Sequence, residues 1–256
     1  MQKKLCVALF FISFFSFAKS THIENQYNTL TNLFTGDYSS QLSVKEAKKD
    51  KNNLGVGAAA GLGELIVLNG KYYVADAQGN AKIMKPNDGI SYLTATHFNT
   101  NQALEFQIKK PMTLQQIQEL ILKKYHLKNS LYASKIIGKF QYVHARNEDR
   151  VFHKVPLNQW LKNHQHEFSL ADTKATIVSF YTPLSMTNLK GISVQPLHNH
   201  FITPEMKMGH VLSAKILSGH VYVQKLSDVK VYNPKNGNLS KNIDQKEVAQ
   251  LETSSN

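Results

Sequence analysis

The sequence predicts an α+β protein built on mixed or antiparallel β-sheets with few helices. Three observations lead there. Short apolar segments alternate in the manner of half-buried strands, Asn-Gly and glycine turns separate them, and one long stretch carries helical spacing. No regular strand–helix–strand order runs through the 256 residues, which disfavours a doubly wound parallel sheet.

The first twenty residues stand outside that fold. Lys3 and Lys4 precede an uncharged apolar run from Leu5 to Phe17, and Ala18-Lys19-Ser20 places small residues at the two recognition positions of a cleavage site. The run is too short for a comfortable membrane span. Residues 1–20 therefore read as a signal peptide, and the mature chain is expected to be periplasmic or secreted, with no membrane partner once the signal is removed. An uncleaved anchor is the plainer alternative. Cys6, the only cysteine, lies in this segment, so the mature protein has no disulfide and no cysteine-based metal site.

Ser43 is placed to cap a brief helix over residues 44–47. The glycine- and alanine-rich stretch 55–63 follows a polar segment, which argues against a dinucleotide-binding turn. Residues 64–68 and 71–75 flank Asn69-Gly70, the pair that a type I′ hairpin turn favours. A turn at Gln78-Gly79-Asn80 leads into residues 81–84, and residues 104–108 alternate as a further strand. Residues 111–126 predict a helix with Thr113 as its cap and Leu114, Ile117, Leu120 and Ile121 on one face. Strands follow at 136–143, 175–181, 192–194, 197–201, 210–217 and 220–226, and Asn236-Gly237 marks a turn in the polar tail. The chain is thus expected in two parts: an N-terminal β-rich part with one helix over residues 21–145, and a C-terminal β-rich metal-binding part over 146–256.

The formal net charge is +12, and removing Lys3, Lys4 and Lys19 with the signal leaves +9. The lysines are scattered, with no aromatic-basic stripe, so a nucleic-acid partner is not expected. A small anionic substrate gains modestly from such a field. Of the 30 basic residues only Arg146 and Arg150 are arginine, and they share one five-residue stretch. A guanidinium offers a flat fork that grips a carboxylate. Either one of them serves that purpose, or the pair forms structural ion pairs with Glu148 or Asp149.

His198 and His200 lie two apart in a predicted strand and so face the same side. His210 opens the next strand and reaches the same point if the two strands pair. Three imidazoles with a fourth position open suit a catalytic zinc ion, Zn2+. The competing reading is a set of partly buried, hydrogen-bonded strand histidines. His164-Gln165-His166 has the same spacing in a polar stretch and reads as surface.

Several segments carry a resemblance. They are Gly63-Glu64-Leu65-Ile66-Val67-Leu68-Asn69-Gly70-Lys71, Phe180-Tyr181-Thr182-Pro183, Lys190-Gly191-Ile192-Ser193-Val194, Leu197-His198-Asn199-His200-Phe201 and Gly209-His210-Val211-Leu212. Together the chain resembles the alpha-acetolactate decarboxylase family over about residues 25 to 252. The resemblance implies that family's two-part β fold, a homodimer, and metal ligation by His198, His200 and His210. It places the family's acidic residue on Glu64, its active-site arginine on Arg146 and a C-terminal glutamate on Glu252, with Glu247 as the other candidate. The implied reaction is metal-dependent decarboxylation of 2-acetolactate, a small anionic 2-hydroxy-3-oxo acid, to acetoin and CO2, the metal stabilising an enediolate. The chain departs from the family pattern at Gly57 or Ala58, where threonine is usual, at Leu62, where aspartate is usual, and after Arg146. Gly191, His198, His200 and Glu205 partly imitate a cupin metal motif, which makes a cupin-like metal oxygenase an alternative. An exported metal-binding protein that has lost turnover is another.

Overall fold

The computed structural model describes residues 22–232 together with Asp244, Lys246, Val248 and Glu252. The expected signal peptide, the expected turn at Asn236-Gly237 and Glu247 lie outside the described residues. In chain order the elements are β1 (Ile23–Tyr27), α1 (Leu30–Phe34), β2 (Leu42–Ser43), α2 (Val44–Ala47), β3 (Leu54–Ala59), β4 (Glu64–Leu68), β5 (Lys71–Ala75), β6 (Ala81–Ile83) and β7 (Gly89–Thr96). Then come β8 (Leu104–Ile108), β9 (Met112–Thr113), α3 (Leu114–Lys124), β10 (Tyr132–Glu148), α4 (Leu157–His164), β11 (Gln165–Tyr181), β12 (Leu197–Ile202), β13 (Met208–Lys225) and β14 (Asp228–Tyr232). The predicted α+β class with few helices is what the chain forms. Among the described residues no helix is long and apolar enough to cross a membrane.

Two sheets carry the molecule. The first runs β14-β1-β7-β3-β4-β5-β6, with β2 added beside β7, and it is antiparallel except where β14 joins β1. The second runs β10-β11-β12-β13-β8, and β10 also pairs β13, so β10, β11, β12 and β13 close on one another. Closure covers part of the strand edge that an open sheet would expose. Inside it, Phe140, Val143, Ile177, Phe201, Ile216 and Val221 are fully buried, and α3 lays Ile117 and Ile121 against them.

Local chemistry sets several elements as predicted. Asn69 and Gly70 both take positive φ in the turn joining β4 to β5. Thr113 and Gln116 form a capping box that starts α3, and Ser43 with Glu46 does the same for α2. The bounds of α3 are tighter than the predicted 111–126. Three readings need correction. Residues 192–194 are not a strand; they follow a turn with Gly191 at φ +72°, and their backbone is used to receive α1 through the Leu30 N–H bond to the Ile192 carbonyl. The predicted strands 210–217 and 220–226 are one continuous β13. There Gly219 lies so close to β10 that a Cβ would meet the Ile137 carbonyl oxygen at 2.4 Å, so the glycine marks close backbone approach and not a break. The strands expected at 136–143 and 175–181 are the middle of β10 and the C-terminal end of β11, each a 17-residue strand.

Strand β1 buries three polar side chains, Glu24, Asn25 and Gln26. Ser193 donates to Glu24 Oε1 at 3.3 Å, while Oε2 has no hydrogen-bond partner. Burial pushes the Glu24 carboxyl up to about 7. A raised carboxyl stabilises the fold fully below its unfolded value and loses that contribution as pH rises through the folded value. Glu24→Gln is therefore expected to leave the unfolding midpoint near pH 4.5 almost unchanged and to stabilise the protein at pH 8 by up to about 3 kcal/mol. Thermal unfolding at the two pH values checks this; equal effects at both would contradict it.

Candidate metal and carboxylate site

The site is built by strand alternation and register. On β12, His198 and His200 share a face, and His200 sits directly opposite His210 of β13. On the other side of β13, His210 sits opposite Arg146 of β10. Arg146, His210 and His200 thus form a row across three adjacent strands. Strand β4 of the first sheet brings Glu64 to the same place, tied there by the Leu65 carbonyl, which accepts from His200 Nδ1 at 2.8 Å.

That bond fixes the orientation of His200. Its Nδ1 donates to that carbonyl, which turns Nε2 into the site. Nε2 lies 3.0 Å from His198 Nε2 and 3.0 Å from Glu64 Oε2. Three electron-rich atoms meet at one point, an arrangement that needs a proton or a cation among them. His198 Nδ1 and His210 Nε2 are buried without a hydrogen-bond partner. Glu252 Oε2 lies 3.2 Å from His210 Nε2 without the alignment of a hydrogen bond. One ligand atom from each of the three histidines falls within 4.8 Å of the others. Burial pulls His198 down to about 3 and holds His210 well below its usual value, where Arg146 adds to the effect. Both rings are neutral at ordinary pH, the form in which imidazole ligates a metal. The donor set fits a divalent ion, and three imidazoles suit zinc.

Beside the imidazoles is a carboxylate-handling cluster. Arg146 Nη1 donates to Glu64 Oε1 at 3.1 Å and to Glu148 Oε2 at 3.4 Å. Burial alone would raise the Glu64 carboxyl, but His200 and Arg146 outweigh it and hold Glu64 below the usual carboxylate range. Burial, reinforced by the Glu64 charge, holds Glu148 well above that range. The two arginines separate cleanly. Arg150 serves backbone, donating Nε to the Gly61 carbonyl at 3.1 Å and Nη2 to that of Ala60, whereas Arg146 faces the site. His164 and His166 both pair with Asp149 on the surface, in keeping with the surface reading of that motif.

A narrow cavity of about 50 Å³ opens onto these groups. Leu33, Leu62, Leu157, Leu161 and Val194 line its apolar wall, and Tyr92 approaches His198 with 6.4 Å between ring centres. Gly57 and Ala58 also line it. A Cβ on Gly57 would meet the Tyr92 carbonyl oxygen at 2.2 Å, so strand pairing excludes a side chain there. Leu62 adopts φ +60° in the turn before Glu64, an uncommon backbone for a leucine, and its side chain is buried in the wall.

All six residues singled out from sequence (Glu64, Arg146, His198, His200, His210 and Glu252) gather here. A match to the family model described as Alpha-acetolactate decarboxylase covers residues 25–245. The chain belongs to the alpha-acetolactate decarboxylase family. Among curated relatives, the alpha-acetolactate decarboxylase of Lactococcus lactis subsp. cremoris is 32% identical over 77% of this chain and 82% of its own length. That of Brevibacillus brevis is 26% identical over 82% of this chain and 72% of its own. The crystal structure of alpha-acetolactate decarboxylase from Bacillus subtilis strain 168 superposes with a TM-score of 0.83 at 26% identity, covering 91% of this chain and all of that one. The family resemblance read from residues thus extends through both sheets. Within this decarboxylase scaffold, sequence reasoning underweighted Glu148, naming it only as an ion-pair partner; its position two residues after Arg146 on a strand was the available signal. It also missed α4, which brings Leu157 and Leu161 to the wall.

Proposed function

We propose that the protein is a metal-dependent carboxy-lyase that converts 2-acetolactate to acetoin and CO2. The observation that carries the reading is the buried row His200–His210–Arg146 with Glu64 against it: a cation-binding centre and a carboxylate-binding centre on adjacent strands. His198, His200 and His210 would hold a divalent ion, zinc by preference, which would supply a Lewis acid to stabilise the negative charge that develops on the substrate.

The chain's own residues do the rest. Arg146 receives the substrate carboxylate and orients the bond to be broken. The leucine wall excludes water, which strengthens each charge interaction inside the site. When the carbon–carbon bond breaks, CO2 leaves and its electron pair stays on the hydroxyl-bearing carbon, delocalised onto the ketone oxygen as an enediolate. One proton must then reach that carbon. Glu64, fixed between Arg146 and His200 and ionised in the resting site, is placed to take up a proton from solvent water and pass it to one face, giving acetoin of one hand. Glu252, beside His210, lines the same cavity.

Purified zinc-loaded protein given racemic acetolactate is expected to release CO2 and acetoin well above the spontaneous rate, with one acetoin enantiomer in excess. A rate equal to background, with the metal bound, favours the metal-binding protein without turnover. Export is part of this reading and rests on the leader-like pattern of residues 1–20; intact mass of the protein recovered from cells, expected to begin at Thr21, tests it. A homodimer is likewise proposed from the family, and sedimentation of the purified protein checks it.

A further inference from the structure

We infer that Glu148 is a positioning residue, bracing both the Arg146 guanidinium and the peptide that carries Glu64 so that Arg146 can take a carboxylate ligand. The inference rests on the decarboxylase reading for the identity of that ligand, though not for its geometry. Arg146 and Glu148 are two apart on β10 and share a face. Glu148 Oε2 lies 3.4 Å from Arg146 Nη1, the same nitrogen that reaches Glu64 Oε1 at 3.1 Å. The other oxygen, Oε1, accepts the Gly63 backbone N–H at 3.0 Å. Gly63 has φ +114°, a conformation closed to most side chains, and the next residue is Glu64. One buried carboxyl therefore holds Arg146 directly and Glu64 through the adjoining backbone.

The charge balance points the same way. Were Glu148 ionised, the cluster of Arg146, Glu64 and Glu148 would carry a net negative charge and repel an incoming carboxylate. Burial and the neighbouring Glu64 charge favour the neutral acid, leaving one positive and one negative group in the cluster. Glu148 also lies in the segment after Arg146 where this chain departs from the family pattern, so its role is not carried over from the resemblance. A purely structural ion pair would need no contact to Gly63, and its loss would not act on ligand affinity selectively.

The test uses the full-length, zinc-loaded protein and two measurements: calorimetric binding of 2-hydroxy-2-methylpropanoate, a carboxylate that cannot react, and steady-state turnover of acetolactate. Glu148→Ala is expected to weaken analogue binding about tenfold and to raise KM by more than it lowers kcat. Glu148→Gln is neutral and keeps an acceptor for the Gly63 N–H, though its amide nitrogen cannot accept from Arg146, and it is expected to recover binding in part, to within about threefold of wild type. If Glu148→Ala does not fold, Glu148→Asp, too short to reach Gly63, is expected to show the weakened binding. Unchanged analogue affinity in the alanine or aspartate variant overturns the inference, as does a glutamine variant as impaired as alanine. Loss of wild-type turnover with this binding pattern intact would instead remove the decarboxylase reading and leave the bracing role standing.

Discussion

His198→Ala is expected to abolish metal binding and to lower acetolactate turnover by at least about 10³-fold while the fold survives. His198 supplies one of three imidazoles, and among the described residues no cysteine or further histidine belongs to the group. Its ring is buried between the two sheets, against His200, His210 and Tyr92. Removing it leaves a small cavity at a cost of about 2 kcal/mol, well short of unfolding a domain of this size. Calorimetric zinc titration and circular dichroism decide the case together. A folded variant that still binds one ion with wild-type affinity would show that the imidazole cluster is structural.

Arg146→Ala is expected to damage both stability and activity. The guanidinium is the cation between Glu64 and Glu148, all three side chains being under one-tenth exposed. Breaking such a cluster by removing one partner typically costs about 3–5 kcal/mol, because a buried charge is left without compensation. Turnover should fall by about 10³-fold, since the carboxylate loses its anchor and Glu64 loses the group that holds it in place. Arg146→Lys keeps the charge but not the fork, and is expected to recover most of the stability and little of the activity. Urea unfolding and turnover on the same preparations test the split. If lysine restored both, the forked geometry would be irrelevant and a point charge would suffice.

These effects were partly visible in the residue order alone. The alternation of His198 and His200 and the cap residues Ser43 and Thr113 act through local geometry, and so does the Asn69-Gly70 turn; local geometry is what a sequence displays. Glu64 is different. Nothing near it in the chain marks it as part of a metal site; only the family resemblance placed it there, because its partners Arg146 and His200 arrive from another sheet. Strand β1 stayed hidden because it buries polar side chains, Glu24, Asn25 and Gln26, where a core strand ordinarily reads as apolar. The outer half of β11 is polar and largely exposed, and it is a strand only because β10 pairs with it residue by residue. Helix α4 buries just Leu157 and Leu161, too few positions to establish a period.

The most direct test is stoichiometric. Protein stripped with a chelator and then titrated with zinc should regain acetolactate decarboxylation in proportion to added ion, reaching a plateau at one ion per chain. Full CO2 release from the stripped protein, unaltered by zinc, would contradict the assignment of His198, His200 and His210 as a catalytic metal centre.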